Sequence, residues 1–249
     1  MDRFPANEPG FPPTEAVPLE SLFGVSQLPQ REDPSQPVSV AAEPGDAIST
    51  FFYARVRHFA AACQTLSGAD LTTFVNDVRR LLSSAAVKLG GEIAQRRPDS
   101  ILCAFTNDPD DRVPTHAKRA LHAAILTVHE AMQLAERVGP KLQAAGSPPL
   151  SIAIGVHLGP GEVTPRASTS SERMVHATGE AVEIARLLEG VAADLHWGVV
   201  ASAGTRQAAG TRVTSGRSGS LGLPDETLLE GTEVSGLGAR PGSYTPPSH

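Results

Sequence analysis

Two adjacent arginines, Arg96 and Arg97, stand in a short turn and could hold a phosphate without a metal. Other chemistry-bearing residues are more scattered. His116, His122 and His129 fall in one helical stretch, with His122 and His129 seven apart on a shared face. No acidic or cysteine cluster accompanies them, so they do not make a metal site. His157 is a lone histidine at a strand end and reads as structural, and Trp197 reads as a packing or interface residue. The Ser/Thr-rich stretch between Arg166 and Arg173 could be phosphorylated, though a solvated loop is the plainer reading. Cys63 and Cys103 lack metal-type spacing and fit a reducing cytoplasm.

The elements that must position these residues show in the hydrophobic periodicity. Ile48 to Val56 is short, β-branched and aromatic, and reads as a buried strand. Leu71, Phe74, Val75, Val78, Leu81, Leu82, Ala85 and Leu89 recur every three or four residues, so the spacing predicts a helix stopped by Gly90-Gly91. Glu92–Gln95 and Ser100–Phe105 are predicted strands joined by the turn Arg96-Arg97-Pro98-Asp99. A second helix carries Leu121, Ala124, Ile125, Val128, Met132 and Ala135, with Asp110, Asp111 and Pro114 as its start signals. A strand at Leu150–Val156 completes a β-α-β-β-α-β order, a ferredoxin-like unit with two helices on one sheet face. A helix from Gly179 to about Gly190, a strand at Val199–Ala201 and a hairpin from about 212 to 236 extend it.

Charge divides the chain differently. Of its 249 residues, 40% are hydrophobic and 19% charged, a balance that supports a sizeable core. The whole formal charge of −6 lies in residues 1–46, which hold eight acidic and two basic side chains and nine of the 21 prolines. That segment reads as a disordered leader, within which the apolar island 17–25 could dock a protein partner. Residues 47–239 form the folded domain, and 240–249 a flexible tail. A net acidic chain argues against nucleic-acid binding. No apolar run reaches membrane-spanning length and no signal peptide opens the sequence, so a cytoplasmic location is expected.

Three segments carry a family resemblance. Gly90-Gly91-Glu92-Ile93 through Asp99-Ser100-Ile101-Leu102-Cys103-Ala104-Phe105 resembles the hairpin of class III adenylate/guanylate cyclases. Ile152-Ala153-Ile154-Gly155-Val156-His157-Leu158-Gly159 looks like that family's Ile-Gly-x-His-x-Gly strand. Gly179 to Glu189 is similar to its Gly-Asp-x-Val-Asn-x-Ala-x-Arg-Leu helix. The three occur in the right order over residues 48–210. Diguanylate cyclases share the topology, but their Gly-Gly-Asp/Glu-Glu-Phe turn is absent.

The resemblance implies an α/β fold and a reaction in which the ribose 3′ hydroxyl attacks the α-phosphate, assisted by two divalent cations on paired carboxylates. It places one carboxylate at Asp99 and the other at Arg55, where this chain has a guanidinium that cannot become a ligand. The base-reading lysine falls on Gln95, its polar partner on His176, the ribose-orienting asparagine on Glu183, and the transition-state arginine on Leu187. Arg186 is one position away, about 100° round the helix. Arg55 is expected to pair with Asp99 and lock a metal-free pocket, or else to face solvent.

The sequence therefore points to a degenerate cyclase-like domain with a regulatory role, working as a homodimer or as a heterodimer with another cyclase-like domain. It needs no cofactor, and it could bind ATP or GTP without turnover. Two alternatives stay open. One is an active nucleotidyl cyclase, a phosphorus-oxygen lyase using Mg²⁺ or Mn²⁺ with an unusual site or a partner chain. The other is a scaffold with a vestigial pocket.

Overall fold

The computed structural model describes residues 47–107, 116–167, 172–210, 213–222 and 228–237. The acidic leader 1–46 with its island 17–25, the helix start signals at 110–114, the run 168–171 and the tail 240–249 lie outside them. In chain order the first half contains β1 (Ile48–Arg57), α1 (Phe59–Thr65), α2 (Gly68–Lys88), β2 (Glu92–Arg96), β3 (Ser100–Phe105), α3 (His116–Ala144) and β4 (Ser151–Pro160). The second half adds β5 (Glu162–Arg166), β6 (Met174–Thr178), α4 (Glu180–Asp194), β7 (Val199–Ser202), α5 (Ala203–Ala209), β8 (Val213–Gly222) and β9 (Leu228–Leu237).

The described strands join in one sheet, ordered β5-β6-β2-β3-β1-β4-β7-β9-β8. Its middle, β2-β3-β1-β4, is antiparallel throughout and is the expected ferredoxin-like unit. β1 is central because both of its faces are apolar. Phe52, Ala54 and Val56 pack under α2 and α3, while Phe51 and Tyr53 face α4 on the other side. The period-2 alternation of one strand thus separates two cores. The expected C-terminal helix, strand and hairpin are present as α4, β7 and β8–β9.

Local sequence explains the helix limits. α2 buries the stripe Phe74, Val78, Leu81, Leu82 and Ala85, with Asp70 in its first turn and Lys88 in its last, both favourable to the helix dipole. It ends where Gly90 takes φ +79 and its amide, with that of Gly91, caps the carbonyls of Val87 and Ala86. Gly155 in β4 has a different function. A Cβ there would collide with the Ala185 carbonyl and the Glu189 amide, so α4 rests directly on the strand backbone.

The structure departs from expectation in four places. α1 replaces an expected loop, starting after His58, which has a left-handed backbone at φ 60. α3 runs past Ala135 and through Pro140, because the buried Leu142 anchors a further turn against the core. The short α5 follows β7, its start capped by the Ser202 side chain. β5 and β6 form an unexpected hairpin that lengthens the sheet beyond β2. Pro165 concealed β5, yet a proline is admissible there because β5 is the outermost strand.

His157 is structural, as expected. Its Nδ1 lies 2.9 Å from Ser202 Oγ, which lies 2.8 Å from Thr205 Oγ1, and the Leu158 amide donates to that same Thr205 oxygen. Burial pushes the His157 pKa down from 6.5 to about 4. The unfolded chain therefore takes up this proton at higher pH than the folded chain. Folding stability at this site is complete above pH 6.5 and falls as pH drops towards 4, by up to about 3 kcal/mol. Urea unfolding at pH 7, 5.5 and 4.5 should show that slope, and His157→Gln should flatten it. An equal slope in the variant would assign the acid sensitivity elsewhere.

Candidate functional site

The residues singled out from the sequence gather where β1, β2 and β3 meet α4. In β1, alternation puts Arg55 on the α4 side with Phe51 and Tyr53, and it pairs in register with Ser100 of β3. Asp99 lies just beyond that ladder, its main-chain carbonyl accepting from the Val56 amide and its carboxylate from Ser100 Oγ at 3.2 Å. β2 reaches the same face by an irregularity. Ile93 pairs with Cys103, but Gln95 pairs with Leu102, so one extra residue is accommodated at Ala94. Without this bulge Gln95 would share the α2 side with Ile93; with it, Gln95 faces α4.

α4 supplies the opposing wall. Ala181, Val182, Ala185, Leu188, Glu189 and Ala192 are buried at three- and four-residue spacing. Glu189 is the exception in an otherwise apolar stripe, with its side chain only 3% exposed. Its carboxylate lies 3.8 Å from Arg55 Nε. At that distance the pair is a charge contact without a hydrogen bond, and Arg55 Nε and Glu189 Oε1 are both buried with no hydrogen-bond partner. Arg55 instead donates from Nη2 to the Tyr53 hydroxyl at 2.9 Å, its guanidinium 5.5 Å from the centre of that ring.

These contacts correct the expected pairing. The ion-pair partner of Arg55 is Glu189, not Asp99, because the register sets Arg55 opposite Ser100 and leaves Asp99 in the turn. Asp99 contributes at longer range. The Tyr53 hydrogen bond holds the Arg55 pKa above its ordinary value against desolvation, with Glu189 and Asp99 adding to the rise. Burial raises the Glu189 pKa, Arg55 and Arg57 oppose that rise, and Asp99 reinforces it. The guanidinium thus lies in the field of two acids.

The helix phase needs a second correction. The resemblance sets Leu187 at the site and Arg186 about 100° away, but Leu187 is 41% exposed, and Arg186 reaches the sheet instead. Arg186 Nη2 donates to Gln95 Oε1 at 3.0 Å, Nη1 lies 3.3 Å from Glu183 Oε1, and the guanidinium lies 5.6 Å from the Tyr53 ring centre. Val182, Ala185 and Glu189 set the buried face, and the long Arg186 side chain reaches back along its edge.

The remaining candidates disperse. Arg96 makes a two-pronged salt bridge to Glu172, at 2.8 and 2.9 Å, so its fork is already engaged. Arg97 is exposed at the turn, and His176 is exposed on β6. Tyr53, Glu172 and Glu189 were missed in the sequence reading. Tyr53 could have been found by alternation from Arg55, and Glu189 as a carboxylate three and four residues along an apolar stripe.

The residues present do not fit a two-metal site. Asp99 is the one acid at an expected ligand position, and the facing position carries a cation committed to Tyr53 and Glu189. Among the described residues no group of three His, Cys, Asp or Glu side chains could hold a metal ion. No described helix is long and apolar enough to cross a membrane.

The fold has counterparts among solved structures. The chain is similar to the guanylyl cyclase Cya2, with a TM-score of 0.59 and 20% identity over 81% of this chain and 98% of that one. It is similar to a bacterial light-regulated adenylyl cyclase, with a TM-score of 0.61 and 18% identity over 78% of this chain and 54% of that one, so it spans about half that protein. A non-canonical dimeric guanylyl cyclase domain of the RhoGC fusion protein from the aquatic fungus Blastocladiella emersonii gives 0.57 and 17% over 77% and 97%. The fold is therefore that of adenylyl and guanylyl cyclase catalytic domains. No family model and no curated protein matches the chain.

Arg55→Met should orphan Glu189 and destabilise the fold by about 1–2 kcal/mol at pH 7, less than for a fully buried pair because Arg55 is 39% exposed. Because burial raises the Glu189 pKa, the folded state takes up a proton before the unfolded state does. Acidification towards pH 5 should therefore narrow the gap, and Arg55→Met/Glu189→Gln should recover most of the loss. Denaturant unfolding of the three proteins checks this; a double variant no more stable than the single one would remove Glu189 from the account.

Proposed function

We propose that this chain is a catalytically silent, regulatory cyclase-like domain that acts in the cytoplasm by pairing with a second domain of the same fold, its own copy or another. One observation carries the reading. Where the resemblance reserves a place for a metal-holding carboxylate, Arg55 turns inward and is held by Tyr53 and Glu189. A guanidinium does not lose its proton at any physiological pH, and two divalent cations beside it would meet like charge.

The other departures act in the same direction. Glu183 stands where the resemblance places an asparagine, and a carboxylate there disfavours a triphosphate. Gln95 is occupied by Arg186 rather than open to a base. Losing one transition-state contact costs a few kcal/mol, so losing several leaves a rate near background. Pairing draws support from the likeness to a dimeric cyclase domain. Nucleotide sensing without turnover is the narrower form of the proposal.

The test is turnover of ATP and GTP with Mg²⁺ and with Mn²⁺, run beside calorimetric titration of each nucleotide. No cyclic product above background is expected under any of the four conditions. Product formation that responds to metal would overturn the proposal in favour of an active nucleotidyl cyclase. Arg55→Asp is expected to create weak Mn²⁺ binding that the parent lacks.

A further inference from the structure

A cavity of about 250 Å³ lies beyond the far end of α4, bounded by the end of β1, the start of β4, α3 and the turn into β7. Its walls are apolar, with Val128, Ala131, Ala135, Leu150, Ile152 and Trp197 among them. Arg57, His58, Ser151 and His196 are the polar residues of its lining, and among the described residues no carboxylate side chain is part of it. Three of the last four carbonyls of α4 are hydrogen-bonded within its closing turn. The amides of Leu195, His196 and Trp197 bond to Val191, Ala193 and Ala192.

The backbone singles out the same place. His58 at φ 60 and His196 at φ 55 are the non-glycine residues with left-handed backbone among those described, and both line this cavity. They come from different elements, β1–α1 and α4–β7, separated by most of the domain. A left-handed backbone is uncommon outside glycine, though less so for histidine; at His196 it closes the end of α4, while at His58 it opens α1. Glycine would serve both turns at lower cost. Histidine keeps a nitrogen at each.

We propose that this cavity binds a small amphipathic monocarboxylate, its hydrocarbon body against the α3 and β4 side chains and its carboxylate among Arg57, His58 and His196. Engineered cavities of about 150 Å³ admit a benzene ring, and drug-sized sites begin near about 300 Å³. The volume here therefore suits a ligand of roughly ten non-hydrogen atoms. The anion follows from three nitrogen-bearing side chains with no acid in the lining, and the body from the walls.

Trp197 is the single tryptophan of the chain, so its fluorescence reports on this cavity directly. The full chain would be titrated with octanoate, and separately with 1-octanol and octylammonium, while that signal is followed. Octanoate should give a saturable change and a dissociation constant at least roughly tenfold below those of the neutral and cationic chains. Ala131→Phe, or Ala135→Leu should the first not fold, fills the cavity and should abolish the change while circular dichroism stays native. His58→Asn and His196→Asn suit the left-handed backbone and should each weaken octanoate several-fold at unchanged thermal stability. Equal affinity for octanol, saturation that survives a cavity-filling variant, or no saturable change at millimolar octanoate would each overturn the proposal.

Discussion

The guanidinium of Arg55 at the seam between sheet and helix is the constraint around which the site is arranged. It cannot be neutralised, so every group near it has to accept a permanent positive charge. Tyr53 answers with its hydroxyl, Glu189 with a carboxylate that α4 otherwise has no reason to bury, and Asp99 with a more distant field. Removing Arg55 leaves Glu189 buried without its counter-charge. A single strand position thus engages β1, α4 and the turn before β3.

Arg186 extends the same arrangement. It too lies near the Tyr53 ring, and its hydrogen bond to Gln95 ties α4 to β2 as Arg55 ties α4 to β1. Two cations thus lie 5.5 and 5.6 Å from the ring centre, each with an acid of its own on α4, Glu189 for Arg55 and Glu183 for Arg186. An internal network of this kind is specific in geometry though modest in net energy, since desolvation offsets much of the attraction.

Much of the fold was legible because its signals are local and periodic. The α2 stripe, the glycine pair that stops it, and the β2–β3 strands all stand where their spacing put them. The β5–β6 hairpin was not legible, since Pro165 and a polar run hid two short strands whose stability comes from joining an existing sheet. Of the site, Arg55 and Asp99 could be located from the sequence, but not their relation. A register offset of one residue separated them, and the buried acid came from a helix more than 130 positions later. Helix phase was misjudged for a related reason. Leu187 is apolar and Arg186 is not, yet the flexible arginine side chain reaches the interface and the leucine faces water.

Gly155 gives this wall its character. With no side chain between them, strand and helix are in main-chain contact, and such a seat has no slack for α4 to slide or tilt. Any adjustment of the charged seam must then come from side-chain torsions, since the helix itself cannot act as a lever. A signal arriving at this face would accordingly travel as a change in rotamer populations, without the rigid-body displacement that a looser seat would transmit.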